Sequence, residues 1–153
     1  MSSWGWVLGI AIIFGGNCAY AQIAPDSTLP NNSNVQLDDS TFNITGGTTR
    51  GANLFHSFKE FSVPTGSTAY FNNASDIQNI ISRVTGKSVS NIDGLIHTKG
   101  NANLFLINPS GIVFGKNASL NIGGSFVATT ANGIGFGNLV VHQANFAGSD
   151  SRV

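Results

Sequence analysis

The chain has 153 residues, and its 7 Lys or Arg balance 7 Asp or Glu for a net charge of zero at pH 7. Charge this sparse and scattered leaves no basic face for nucleic acid and no polybasic stretch for a membrane surface. A hydrophobic content of 41% is ample for a core and argues against disorder, and solubility falls instead to Asn, Ser, Thr and Gly.

In chain order, the first element is one to set aside from the fold. Residues 6–14, "WVLGIAIIF", form a short apolar run followed by "GGNCAYA". Ala19 and Ala21 make the A-x-A pattern of a signal-peptidase site, so residues 1–21 are expected to be a signal peptide cleaved after Ala21. The run falls short of the roughly 20 apolar residues that span a bilayer. It departs from the usual pattern in lacking any Lys or Arg before the apolar run. The single cysteine, Cys18, lies within this segment, and Asn17 before it does not suit a lipid anchor. Cleavage therefore leaves a mature chain that must hold together without disulfides. Residues 22–37, which include "APDSTLPNNSNVQ", are expected to be an extended, exposed lead-in or cap.

From residue 41 the pattern is short apolar runs punctuated by Gly, Asn and Pro. Runs begin at Leu95, Leu104, Ile112, Leu120 and Phe126, spaced 9, 8, 8 and 6 residues apart. That is too close for helices and their connections, and it predicts an all-β fold. The turns between them, "TKGNAN", "NPSG", "GKNAS" and "NIGG", carry residues that tolerate or fix turn dihedrals. A sandwich would show apolar-polar alternation, whereas "LFLI" and "GIVF" are continuous. Two-residue hairpin signals are absent apart from "ANG" at 131–133. Permissive corners and unbroken runs suit stacked coils of a parallel β-helix. The echo between "GANLFHSF" (51–58) and "NANLFLIN" (101–108) fits such coils. One segment, "SDIQNIISRVTG" at 75–86, reads both ways. Ile77, Ile80, Ile81 and Val84 have helical spacing, with Ser75 and Gln78 as a capping box and Gly86 as a stop. Four β-branched residues favour a strand.

The stretch 93–130, "DGLIHTKGNANLFLINPSGIVFGKNASLNIGGSFVATT", resembles the N-terminal secretion domain of filamentous haemagglutinins and related two-partner-secretion exoproteins, as does "NLFHSFKEFSVPTGSTAYF" at 53–71. The resemblance covers roughly residues 38–131. The family's Asn-Pro-Asn-Gly-Ile turn reads here Asn108, Pro109, Ser110, Gly111 and Ile112. It implies a right-handed parallel β-helix with an N-terminal cap and short antiparallel extra-helical strands, and it makes 75–86 a strand. It also implies export by Sec to the periplasm, recognition there by the POTRA domains of an outer-membrane β-barrel transporter, and delivery to the cell surface or medium. Asn108 to Ile112 would be the recognition turn, or would simply fix a corner. Ser110 departs from the family's Asn, and a second, upstream Asn-Pro-x-Leu motif has no counterpart beyond "FNNAS" at 71–75. Residues 132–153 are expected to be a tail, the start of further rungs.

No residue pattern points to catalysis. The acids Asp26, Asp38, Asp39, Glu60, Asp76, Asp93 and Asp150 are dispersed, and the adjacent pair Asp38 and Asp39 would point to opposite faces of a strand. His56, His97 and His142 have no second ligand at metal spacing and are expected at the surface or flanking rungs. No Ser lies in a nucleophile elbow. No catalytic residue, metal or cofactor is therefore assigned, and a polysaccharide-active β-helix enzyme ranks below a surface adhesin that binds host or cell-surface glycans. Phe55, Phe58, Phe61, Phe71, Phe105, Phe114 and Phe126 are expected to stack in the core rather than to form a sugar-binding face.

Overall fold

The computed structural model describes residues 22–136 and 139–142, and among these residues there is no helix. Four short strands open the fold: β1 (Ile23–Pro25), β2 (Ser33–Asp38), β3 (Thr41–Gly46) and β4 (Thr48–Arg50). The long β5 (Asn53–Phe61) begins the first complete coil, which continues through Val63 to β6 (Thr68–Phe71). The second coil is β7 (Asn79–Val84), β8 (Ser90–Ile92) and β9 (Leu95–Thr98), and the third is β10 (Asn103–Ile107), β11 (Ile112–Phe114) and β12 (Ser119–Asn121). A fourth begins with β13 (Phe126–Thr129), and an antiparallel hairpin follows, β14 (Gly133–Phe136) and β15 (Leu139–His142). Strands of successive coils pair in parallel, giving three faces ordered β5-β7-β10-β13, β8-β11 and β3-β6-β9-β12. The result is a parallel β-solenoid.

The register shows why the sequence winds this way. Leu54, Ile80, Leu104 and Phe126 are aligned neighbours on successive coils and point inward. Phe58, Phe61, Phe71, Ile44, Ile92 and Ile96 join them in one core with almost no exposure. Asn53, Asn79, Asn103 and Ser125 occupy the next row, 26, 24 and 22 residues apart, and form a hydrogen-bonded ladder. Asn79 Nδ2 donates to Asn53 Oδ1 (2.8 Å), Asn103 Nδ2 to Asn79 Oδ1 (2.9 Å), and Ser125 N–H to Asn103 Oδ1 (2.8 Å). The echo between 51–58 and 101–108 is therefore a true coil repeat. Its middle copy, "QNIISRV", is hidden because only Asn79 and the apolar character persist.

The helical spacing at 75–86 has a different origin. In β7, Ile80, Ser82 and Val84 alternate with Ile81 and Arg83, and all five are buried. Ile80 and Val84 belong to the core, whereas Ile81 joins Phe55 and Ile107 in a second cluster capped by Leu29, with Phe105 and Ile134 packed against it. A strand covered on both sides needs apolar residues on both, and it then imitates a helical stripe.

Four expectations change. The lead-in is pinned rather than exposed. Leu29 and Ser33 are buried, β1 pairs with β5, and β2 pairs with β3. Asp26 accepts hydrogen bonds from Ser57 Oγ (2.7 Å) and Thr85 Oγ1 (2.6 Å). Burial opposes ionisation of this carboxyl, but the Thr85, Thr28 and Ser57 bonds outweigh it and hold its pKa below the ordinary value. Arg83 reaches across to Ser57 Oγ (2.8 Å) and Thr28 Oγ1 (2.6 Å). Second, the phenylalanines divide: Phe58, Phe61 and Phe71 are core, Phe55 lies in the second cluster, and Phe114 is 45% exposed. Third, "ANG" at 131–133 is no hairpin turn, since Gly133 already begins β14.

The fourth change is His56, which lies inside the solenoid at 1% exposure. Its ring lies beside Phe58 (5.9 Å between centroids) and Phe71 (5.5 Å). Ser33 Oγ accepts the Ser57 N–H (3.1 Å) and is hydrogen-bonded to His56 Nδ1 (2.9 Å), with the ring's tautomer setting which atom donates. Burial pushes the imidazole pKa down to about 4, so the ring is neutral at neutral pH.

Candidate functional site

The Asn108–Ile112 corner joins β10 to β11. The residue order suits a type I turn, with Asn first, Pro second and Gly fourth, and Gly111 N–H donates to Asn108 O at 3.0 Å to close it. Gly111 has φ +122°, a region that side chains disfavour. Asn108 is fully buried. Its Nδ2 donates to Ser88 O (3.0 Å) and Ser90 Oγ (2.9 Å) on the preceding coil, and its Oδ1 accepts Ser110 N–H (2.9 Å). Asn108 N–H extends the attachment forward to Thr129 O (3.0 Å). Ile112 packs against the core. The five motif residues thus divide: Asn108, Gly111 and Ile112 build the corner, while Pro109 and Ser110 face solvent. Val89 and Val113 add exposed apolar surface, with Val89 Cγ2 within 3.5 Å of the space beside Gly111.

The other two corners are stapled in the same manner, by residues the sequence reading passed over. Asn73, within "FNNAS", is buried; its Nδ2 donates to Lys99 O (3.1 Å) and its Oδ1 accepts Lys99 N–H (3.2 Å) on the next coil. Asp93 accepts from Thr65 Oγ1 on the coil before, and from Asn117 N–H (3.0 Å) and Nδ2 (3.1 Å) on the coil after. The Thr65 bond, with those from Asn117 and the Lys116 charge, lowers the Asp93 pKa. The cue available in sequence was an Asn or Asp at the entry to each turn.

The two ends of the solenoid differ. At its start β1 and β4 run antiparallel to β5, and β2 runs antiparallel to β3, so the first coil is covered. At the other end β11, β12 and β13 each pair on one side only among the described residues. Phe114 and Leu120 there are 45% and 46% exposed, and Phe114 meets Phe126 edge-on at 6.1 Å.

The dispersed acids fall in separate places. Asp26 and Asp93 act as staples, Asp38 and Asp39 lie at the β2–β3 turn, and among the described residues no group of three or more His, Cys, Asp or Glu is arranged to hold a metal. His97 lies on the outer face against Tyr70, 4.8 Å between centroids. Asp150, the cleavage residues Ala19 and Ala21, and the side chain of His142 lie outside the described residues.

The described residues thus form a parallel β-solenoid covered at its start by antiparallel strands and held at its corners by polar staples. The TPS secretion domain matches residues 21–152, and the chain belongs to that family. It is a secretion module of the two-partner-secretion exoprotein type, and family membership implies a dedicated transporter as partner. No curated protein matches the chain. Among the described residues no helix is long and apolar enough to cross a membrane.

Proposed function

We propose that residues 22–153 form the secretion address of an exoprotein, exported by Sec after cleavage behind Ala21 and recognised in the periplasm by the POTRA domains of its outer-membrane transporter. The observation that carries this reading is the asymmetry of the solenoid's ends. Strand edges with free N–H and C=O groups accept another strand by augmentation, and among the described residues β11, β12 and β13 end the stack of parallel coils with no antiparallel strand paired to their outer edges. The same edges, with Phe114 and Leu120 beside them, supply a template on which a following coil adds its rungs, so the module also nucleates folding. Pro109 and Ser110 are the exposed part of the turn motif and supply any direct contact it makes.

The test is binding of the purified mature chain to the isolated POTRA domains, followed by calorimetry and amide hydrogen exchange. Saturable binding with protection gathered on β11, β12, β13 or the 109–110 turn is the expected result. Protection confined to β1–β4, or no binding, would refute the assignment.

A further inference from the structure

Asn132–Gly133 is no hairpin turn, yet the pair carries a chemistry of its own. Of the asparagines in the chain, only Asn132 is followed by glycine. An asparagine cyclises when the backbone nitrogen of the next residue attacks its side-chain carbonyl carbon, Cγ. A Cβ on that next residue crowds the approach and stiffens the backbone, and glycine has none.

The fold leaves both reacting groups accessible. Asn132 is exposed and lies in the bend between β13 and β14. The chain is anchored just before it, where Ala131 N–H donates to Thr129 Oγ1 (3.1 Å). Just after it, β14 pairs with β15, and Phe136 meets Leu139 with only two residues between them. That closing pair exchanges hydrogen bonds, as the ends of a two-residue hairpin do. Alternation along the antiparallel ladder then makes Gly133 and His142 a pair without mutual hydrogen bonds, so the Gly133 N–H points away from β15. Among the described residues β14 has no strand on its other side. The attacking nitrogen is therefore held by no ladder. Asp93–Gly94 is the contrasting pair: its carboxylate is fixed by Thr65 and Asn117, and a Cβ at Gly94 would collide with Pro64 O and Ser67 O, so neither residue has room to move.

We propose that Asn132 is a site of spontaneous deamidation. Gly133 N bonds to Asn132 Cγ, the Cγ–Nδ2 bond breaks, and the side-chain nitrogen leaves as ammonia with the proton from Gly133 N, giving a five-membered succinimide. Water then opens the ring. Attack at Asn132 Cγ yields aspartate, and attack at the Asn132 main-chain carbonyl yields isoaspartate, whose backbone runs through Cβ and Cγ. Either product adds one negative charge. The isoaspartate also lengthens the main chain by one carbon at the entry to β14. Ile134, two residues on, packs against the outer cluster of Leu29, Phe55, Ile81 and Ile107, and the longer chain shifts it from that seat. The modification thus loosens the hairpin from the outer face of the solenoid. It needs neither enzyme nor transporter and stands apart from the secretion reading.

The experiment is ageing of the purified mature chain in mildly alkaline buffer, followed by peptide mapping with mass spectrometry and by methyl transfer from isoaspartyl methyltransferase. The peptide holding residue 132 should convert from amide to acid and accept methyl groups ahead of every other asparagine peptide, faster as pH rises, because the attacking nitrogen must give up its proton. Gly133→Ala should slow conversion severalfold, and Asn132→Gln should abolish methyl transfer to that peptide. Amide hydrogen exchange of the converted chain should quicken at residues 133–136 and stay unchanged in β5, β7 and β10. No conversion at Asn132, conversion no faster than at the exposed Asn101, or a rate unaltered in Gly133→Ala would overturn the proposal. Unchanged exchange at 133–136 in the isoaspartate form would overturn the loosening of the hairpin.

Discussion

Replacing Asn108 by Ala probes the motif where its geometry is most specific. The substitution removes two donors, to Ser88 O and Ser90 Oγ, and one acceptor, for Ser110 N–H. Each net hydrogen bond is worth about 1 kcal/mol, and Ser90, itself buried, keeps a hydroxyl without its partner. The sum is about 3 kcal/mol, a large fraction of the roughly 5–15 kcal/mol that holds an ordinary domain together. For a domain of this size that is a fall in melting temperature of about 10 °C. Pro109→Ala and Ser110→Ala touch exposed positions, and the Ser110 hydroxyl makes only one long contact, to Gly86 O at 3.4 Å. Both should stay within about 1 kcal/mol of wild type. Urea titration of the three purified variants measures all of this. An Asn108→Ala protein as stable as wild type would refute the corner-staple reasoning and return Asn108 to a role in direct recognition.

Protonating His56 must bring a charge into the core. Its pKa of about 4, against 6.5 in the unfolded chain, contributes about 3 kcal/mol that is fully present above pH 6.5 and lost as pH falls towards 4. Urea midpoints should therefore drop across that window for wild type and stay flatter in His56→Leu. The inward Ser82 hydroxyl is buried without a partner, so Ser82→Ala should stabilise by about 1 kcal/mol in the same titration. Asn79→Ala breaks two rungs of the asparagine ladder and should cost about 2 kcal/mol, whereas Asn34→Ala, whose side chain makes one 3.5 Å contact, should cost almost nothing.

Much of the solenoid is legible from residue 94 onward, where turns recur every few residues and every predicted run start falls within or at the edge of a strand. It is least legible where burial is two-sided. Leu29 and the Asp26–Arg83 region make an outer layer over β5 and β7, and that layer turns polar-looking residues such as Ser33 and Ser57 into buried ones. His56 is expected at the surface because it is polar, yet its place between Leu54 and Phe58 on β5 turns it inward with them. At the site, the turn chemistry of "NPSG" was plain in sequence. The division between buried Asn108 and exposed Pro109 and Ser110 was not, because it depends on which coil lies beside the corner.

The most direct test of the central claim is export. The chain would be expressed in a two-membrane bacterium with and without its cognate outer-membrane transporter, and its amount followed in medium and periplasm. The secretion-address reading predicts transporter-dependent appearance outside the cell. Retention in the periplasm with a functional transporter present would contradict it.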